Sequence, residues 1–177
     1  DDNTLSVRTL NELVKSTDGK TWTVVYDASD DDNFIKDADE LDGEIYLILS
    51  DEFENISLFC KLEDDVPKVL RTFGGGDGNS SRLRAFDNRI IITEYINGVL
   101  TFYEWDKGAL NKLAIYFITL EYGIDLPLAD DDYLYIVLNG QTIIRLNTDN
   151  AIYTINTYEP DQAEDRATSM LKWNGNI

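Results

Sequence analysis

Histidine is absent from these 177 residues, cysteine and methionine occur once each, proline three times, and basic residues number 15 against 34 acidic ones. Without histidine there is no Ser-His-Asp catalysis and no zinc site of the Cys/His kind. Cys60 has no second cysteine in the chain to pair with. Its setting, Leu58-Phe-Cys-Lys-Leu62, alternates as a strand does, so the thiol reads as a small buried hydrophobe rather than a nucleophile. No run approaches the roughly 18 apolar residues of a membrane-crossing helix, so membrane insertion is not expected. No basic, apolar leader opens the chain either. It starts at Asp1-Asp2-Asn3 without Met, which reads as a processed or trimmed product. The shortage of basic residues leaves a net charge of −19 and a pI near 4.1. A nucleic-acid backbone or an anionic membrane surface would be repelled. So much acid serves as solvated surface, as an attractor of cations, or as an attractor of a basic partner.

What is present is a globular composition, 43% hydrophobic and 11% aromatic, arranged with a period. A turn-forming Asp or Asn followed by β-formers recurs as Asp42-Gly-Glu-Ile-Tyr-Leu-Ile48, Asp87-Asn-Arg-Ile-Ile-Ile-Thr93 and Asp131-Asp-Tyr-Leu-Tyr-Ile-Val137, with Asn174-Gly-Asn-Ile177 at the end. The spacings are 45, 44 and 43 residues. Strands are predicted over 44–49, 57–62 and 68–73, then 89–94, 100–105 and 110–117, then 133–138, 142–146 and 151–157. Asn97-Gly98 and Asn139-Gly140 are hairpin turns, because both residues tolerate positive φ. A further strand precedes each block, at 34–41, 82–86, 124–129 and 168–173. The Leu110, Leu113, Ala114, Phe117 spacing is also compatible with a helix over 108–120, although register with the other repeats favours a strand. Pro67, Pro127 and Pro160 fall at strand starts, connectors or edges.

A period near 44 with four strands per unit predicts an all-β fold. It is a β-propeller of four-stranded blades in a single domain, 1–177, because one such blade buries its faces only against its neighbours. The blades span 34–73, 80–117 and 123–158, and a composite one joins 4–29 with 166–177. The four repeats either close by pairing of the termini or form part of a larger ring.

Ser16-Thr-Asp-Gly-Lys-Thr-Trp22 resembles the Asp-box hairpin of sialidase-like (BNR) propellers, found in bacterial surface and phage tail proteins. It is one residue shorter between Asp18 and Gly19. The resemblance implies a structural turn in which Ser16 and Asp18 accept hydrogen bonds, Gly19 takes a positive φ, Thr21 completes the motif and Trp22 packs beneath the hairpin. A sialidase site would also need three converging arginines and a Tyr/Glu nucleophile pair. The Arg-Ile-Pro segment of that family is absent, and Arg82, Arg84 and Arg89 crowd into one repeat. Gly74-Gly-Gly-Asp-Gly-Asn79 lacks the Gly-Lys-Ser/Thr ending of a phosphate loop and reads as a connector.

The acidic connectors 27–33, 74–79 and 159–165 share one face of such a fold with the turns at 50–55, 95–98 and 139–140. No cofactor is expected as a requirement, and no Asp-x-Asp-x-Asp-Gly loop is present, but carboxylates of Asp30, Asp31, Asp32, Asp77, Asp161 and Asp165 are candidate calcium ligands. Phe53, Tyr95 and Tyr122 are candidate aromatic anchors on that face. The expected function is a non-enzymatic binding or scaffold module that presents acidic loops to a glycan or protein, at a bacterial surface, on a virion or secreted. A fragment of a sialidase-like carbohydrate-active enzyme is the alternative.

Overall fold

The computed structural model describes residues 5–9, 11–29, 33–51, 56–74, 80–106, 108–117, 124, 127–130, 132–138, 142–149 and 152–157. The Asn139-Gly140 turn, the strand expected at 168–173 and the terminal pairing lie outside them. The described residues hold fifteen β-strands and no helix, in antiparallel sheets. By its internal contacts the chain divides into two compact units, Asp1–Gly76 and Asp77–Ile177.

In the first unit β1 (Leu5–Arg8), β2 (Glu12–Ser16) and β3 (Thr23–Asp27) form a three-stranded meander. The strands β4 (Asn33–Leu41), β5 (Glu44–Asp51), β6 (Ile56–Glu63) and β7 (Val66–Gly74) form a four-stranded one. In the second unit the sheets are β8 (Ser80–Phe86), β9 (Arg89–Ile96), β10 (Val99–Asp106) and β11 (Ala109–Phe117), then β12 (Leu128–Ala129), β13 (Tyr133–Leu138), β14 (Thr142–Asn147) and β15 (Ile152–Thr157).

Short-range turn chemistry sets these meanders. Leu41 pairs with Glu44, Glu63 with Val66, Phe86 with Arg89 and Ile96 with Val99, so each loop has two residues. Both residues of every such loop have positive φ: Asp42 54° and Gly43 76°, Asp64 52° and Asp65 62°, Asp87 52° and Asn88 56°, Asn97 50° and Gly98 85°. These are the mirror-image turns whose twist matches that of the flanking strands, and Asp, Asn and Gly are the residues that enter them at least cost. Segment 108–120 was open to a helical reading, yet its described part is strand β11. Pairing with β10 satisfies the inner side of its backbone, and Ala114 and Tyr116 pack inward while Ile115 and Phe117 face out. The strand expected over 124–129 is shorter: Ile124 makes an isolated bridge to Leu138, and β12 holds two residues after Pro127, which has no N–H to donate.

One irregularity repeats in all four sheets. Register slips between Leu13 and Val14, Phe59 and Cys60, Phe102 and Tyr103, and Ile143 and Ile144, each time opposite the last strand of the meander. The extra residues are Val25, Leu70, Leu113 and Ile155, at nearly the repeat spacing. A bulge bends its strand and raises the local twist, so the last strand of each meander bends at a corresponding place; the β4–β7 sheet has a second slip, between Ile35 and Asp37.

Burial falls from the middle strands outward. All six residues Ile90–Tyr95 of β9 are buried, and Tyr46–Leu49 of β5 are buried in sequence, which requires cover on both faces. The outer strands β7 and β11 are mostly exposed. Leu13, Tyr26, Ile35, Leu47, Leu49 and Cys60 join the two sheets of the first unit. Leu100, Phe102, Leu134, Ile136 and Ile144 are central to the core of the second. Each such side chain contributes roughly 1.5–3 kcal/mol by leaving water. Tyr95, expected as an exposed anchor, is a correction: it is 7% exposed and belongs to this core. It lies directly across from Leu100 in the β9–β10 pair, on the face that packs inward.

Candidate functional site

At one end of the first unit the turn between β1 and β2 meets the exit of β3. Thr9 Oγ1 accepts the N–H groups of Glu12 (2.9 Å) and Asn11 (3.3 Å), and the Thr9 N–H donates to the Glu12 carbonyl (2.8 Å). This is the local pattern by which a threonine replaces a backbone partner at a tight turn. The Ala28 N–H donates to the Asn11 carbonyl (2.7 Å) and ties the exit of β3 to that turn. Asp27 Oδ1 accepts the Ser29 N–H at 2.8 Å. Hydrogen bonds from the Ser29 side chain and backbone hold the Asp27 carboxyl below its usual range.

Glu12 and Asp27 are direct cross-strand partners. With Thr9, Asn11 and Ser29 they line an open depression of about 470 Å³. Two carboxylates directly opposite each other on neighbouring strands are an unfavourable pairing for a sheet, so this pair adds nothing to the packing. Chemically the depression offers oxygen acceptors and negative charge, suited to a cationic group or to hydroxyl donors.

The Ser16–Trp22 turn caps the opposite end of the same β2–β3 hairpin. The Ser16 hydroxyl donates to Asp18 Oδ1 (3.0 Å) and accepts the Gly19 N–H (2.9 Å). Asp18 Oδ1 accepts the N–H groups of Thr21 (2.7 Å) and Lys20 (2.8 Å), and Asp18 Oδ2 accepts the Thr21 hydroxyl (3.1 Å). These bonds, the Thr21 N–H foremost, lower the Asp18 pKa to about 2. Gly19 has φ 70°. Trp22 departs from expectation: it is 41% exposed rather than packed beneath the hairpin. It precedes the first residue of β3, so the turn and not the sheet carries the ring.

Of the three clustered arginines, Arg84 and Arg89 are engaged between sheets. Arg84 Nε donates to the Pro127 carbonyl (2.9 Å), and Arg89 donates to Glu104 Oε2 (2.6 Å) and the Thr148 carbonyl (3.1 Å). Arg84 and Arg89 thereby tie the two sheets of the second unit together. Arg145 lies over the Tyr133 ring at 4.4 Å. Cys60 is fully buried, and burial pushes its thiol up to about 12, out of reach of nucleophilic chemistry. Among the described residues no three carboxylate or thiol side chains are grouped as metal ligands. Asp30, Asp31, Asp32, Asp77, Asp161, Asp165, Phe53 and Tyr122 lie outside the described residues. Sequence reasoning placed Asp27 and Ser29 in an acidic connector without singling them out, and missed Thr9, Asn11 and Glu12. The Thr-Leu-Asn-Glu run before a β-former was the turn signal that could have found them.

No family model and no curated protein matches the chain. Among solved structures, a candidate 6-phosphogluconolactonase from Bacteroides uniformis is similar at a TM-score of 0.48 and 16% identity, over 84% of this chain and 55% of that one. The chain thus spans about half the length of the structure it resembles.

Proposed function

We propose that the chain is a β-propeller, or a four-repeat piece of one, and that it acts as a non-enzymatic binding or scaffold module. The repeated bulge supports the architecture, since four successive meanders bent at a corresponding place are what stacked blades require. The three strands of the first sheet then correspond to the last three of a blade. The observation that carries the function is the Glu12–Asp27 pair in its depression, at the end of the hairpin where the acidic connector leaves. An acidic, oxygen-rich loop end held by short turns suits recognition of a glycan or of a protein surface, at a cell surface or on a particle. The engagement of Arg84 and Arg89 in packing weighs against a sialidase-like enzyme.

The test is binding of the purified chain to immobilised glycans with calcium and again with chelator, for the wild type and for Glu12→Gln/Asp27→Asn. Selective binding that the double variant loses supports the assignment. Binding that the variant retains removes Glu12 and Asp27 from the interface, and a blank array from folded protein removes the glycan branch. Loss in chelator would bring calcium into the site.

A further inference from the structure

We propose that the outer edge of β11 is a self-association surface, paired antiparallel with the same strand of a second copy of this chain. In the β8–β11 sheet β11 is terminal, and among the described residues no strand pairs with its outer side. Its backbone groups on that side are a ready template for another strand.

Such edges are ordinarily defended, and the first unit shows how. The outer strand β7 carries Pro67, which lacks a donor, and the cations Lys68 and Arg71, both exposed. A second β7 laid against it would bring those cations together. In β11 the defences are missing past the bulge at Leu113: Ala114-Ile-Tyr-Phe117 has no charge, no proline and no glycine. No charged residue stands anywhere between Lys112 and Glu121 in a chain of net charge −19. Uncharged segments rich in β-formers are those that pair with their own copies.

The side chains alternate accordingly. Ala114 and Tyr116 pack on the core of their own unit. Ile115 and Phe117 point away from it, 47% and 79% exposed, leaving two large apolar groups in water. Lys112, the one charge of the strand, lies 5.9 Å from the centre of the Tyr103 ring on the neighbouring strand.

Charge chooses the occupant. Antiparallel pairing of one strand with itself is isologous, residue i meeting j and j meeting i, so an uncharged segment meets its copy with no like-charge contact. Elsewhere two copies of this acidic chain repel. The long-range repulsion weakens with salt, while the apolar contact does not, so association strengthens as salt rises.

Sedimentation equilibrium of the full chain from about 0.05 M to about 0.5 M NaCl tests this, over protein concentrations up to about 1 mM. The expected result is a reversible dimer whose fraction grows with salt, with β11 amides gaining exchange protection as it forms. Ile115→Lys/Phe117→Lys, at exposed positions, should be monomeric with unchanged near-ultraviolet circular dichroism, while Val66→Lys/Val69→Lys on β7 should dimerise as before. A wild type that stays monomeric throughout overturns the proposal. So does a dimer that survives the β11 substitutions or protects amides other than those of β11. If the lysine variant misfolds, the exchange pattern of the wild type decides alone.

Discussion

Glu12 and Asp27 stand opposite each other at the open end of the β2–β3 pair, two carboxylates in register where a sheet gains most from opposite charges. Replacing Glu12 by Gln should therefore raise stability, by a few tenths to about 1 kcal/mol, because it removes a like-charge pair without removing a packing contact. Urea unfolding at neutral pH and low salt measures it. The gain should shrink as salt is added, and a loss of stability would mean that the glutamate is held by something other than solvent. The same variant should bind partner less well, the separation expected of a residue kept for recognition.

Asp18 sets the acid sensitivity of its turn. Its carboxyl is lowered from 3.8 to about 2 by hydrogen bonds from Thr21, Lys20 and Ser16. A group depressed in the folded state adds stability that is fully present above its unfolded pKa and is lost as pH falls through the folded one, here between about pH 4 and pH 2. The wild type should lose that increment on acidification. Asp18→Asn should be less stable at neutral pH and flatter across this window, as read from urea midpoints at pH 7, 4 and 2. Equal pH profiles would show that the turn does not depend on the charge.

Arg89 joins two sheets. Its side chain is 11% exposed, and its guanidinium serves Glu104 of 20% exposure as well as the Thr148 carbonyl. Arg89→Ala should cost about 2–3 kcal/mol, because a partly buried carboxylate and a carbonyl lose their donor together. Adding Glu104→Ala should restore part of that loss, so the double variant falls short of the sum of the singles in denaturant titrations. Additive losses would show that the pair is screened.

Asp65 holds a left-handed conformation, φ 62°, beside Asp64 at φ 52°. Glycine enters that region without the side-chain penalty, and Asp65→Gly also separates two adjacent charges. A gain of roughly 0.5–1 kcal/mol is expected even after the entropy glycine loses on folding. Thermal and urea unfolding of this variant against Gly43→Ala, where the added Cβ meets nothing and only the φ of 76° resists, would separate conformational strain from contact.

Hairpins were legible in the sequence because two-residue turns are a local matter. Asp42-Gly43, Asp87-Asn88 and Asn97-Gly98 carry their positive φ in their own residue types, and the alternation beside them sets the strands. The period of the turns placed the strands of the β4–β7 and β8–β11 meanders, down to the strand of segment 109–117 that a helical spacing disguised. What misled was any judgement of outward against inward. Tyr95 looked like a surface aromatic beside a turn and is core, while Trp22 looked like a core residue and is exposed.

By itself, then, the sequence determined the strand content, the turn types, the absence of histidine chemistry and the acidic charge, all properties of single residues or of neighbours within a few positions. Only the tertiary structure decided that Glu12 and Asp27 share a depression, that Arg84 and Arg89 bind sheets together rather than a ligand, and that β11 leaves Ile115 and Phe117 in water. Those outcomes depend on strand register, on the bulges that shift it and on which face a neighbouring sheet covers. A one-residue change of register turns every side chain of a strand to the other face, so they are sums over distant contacts that no local pattern carries.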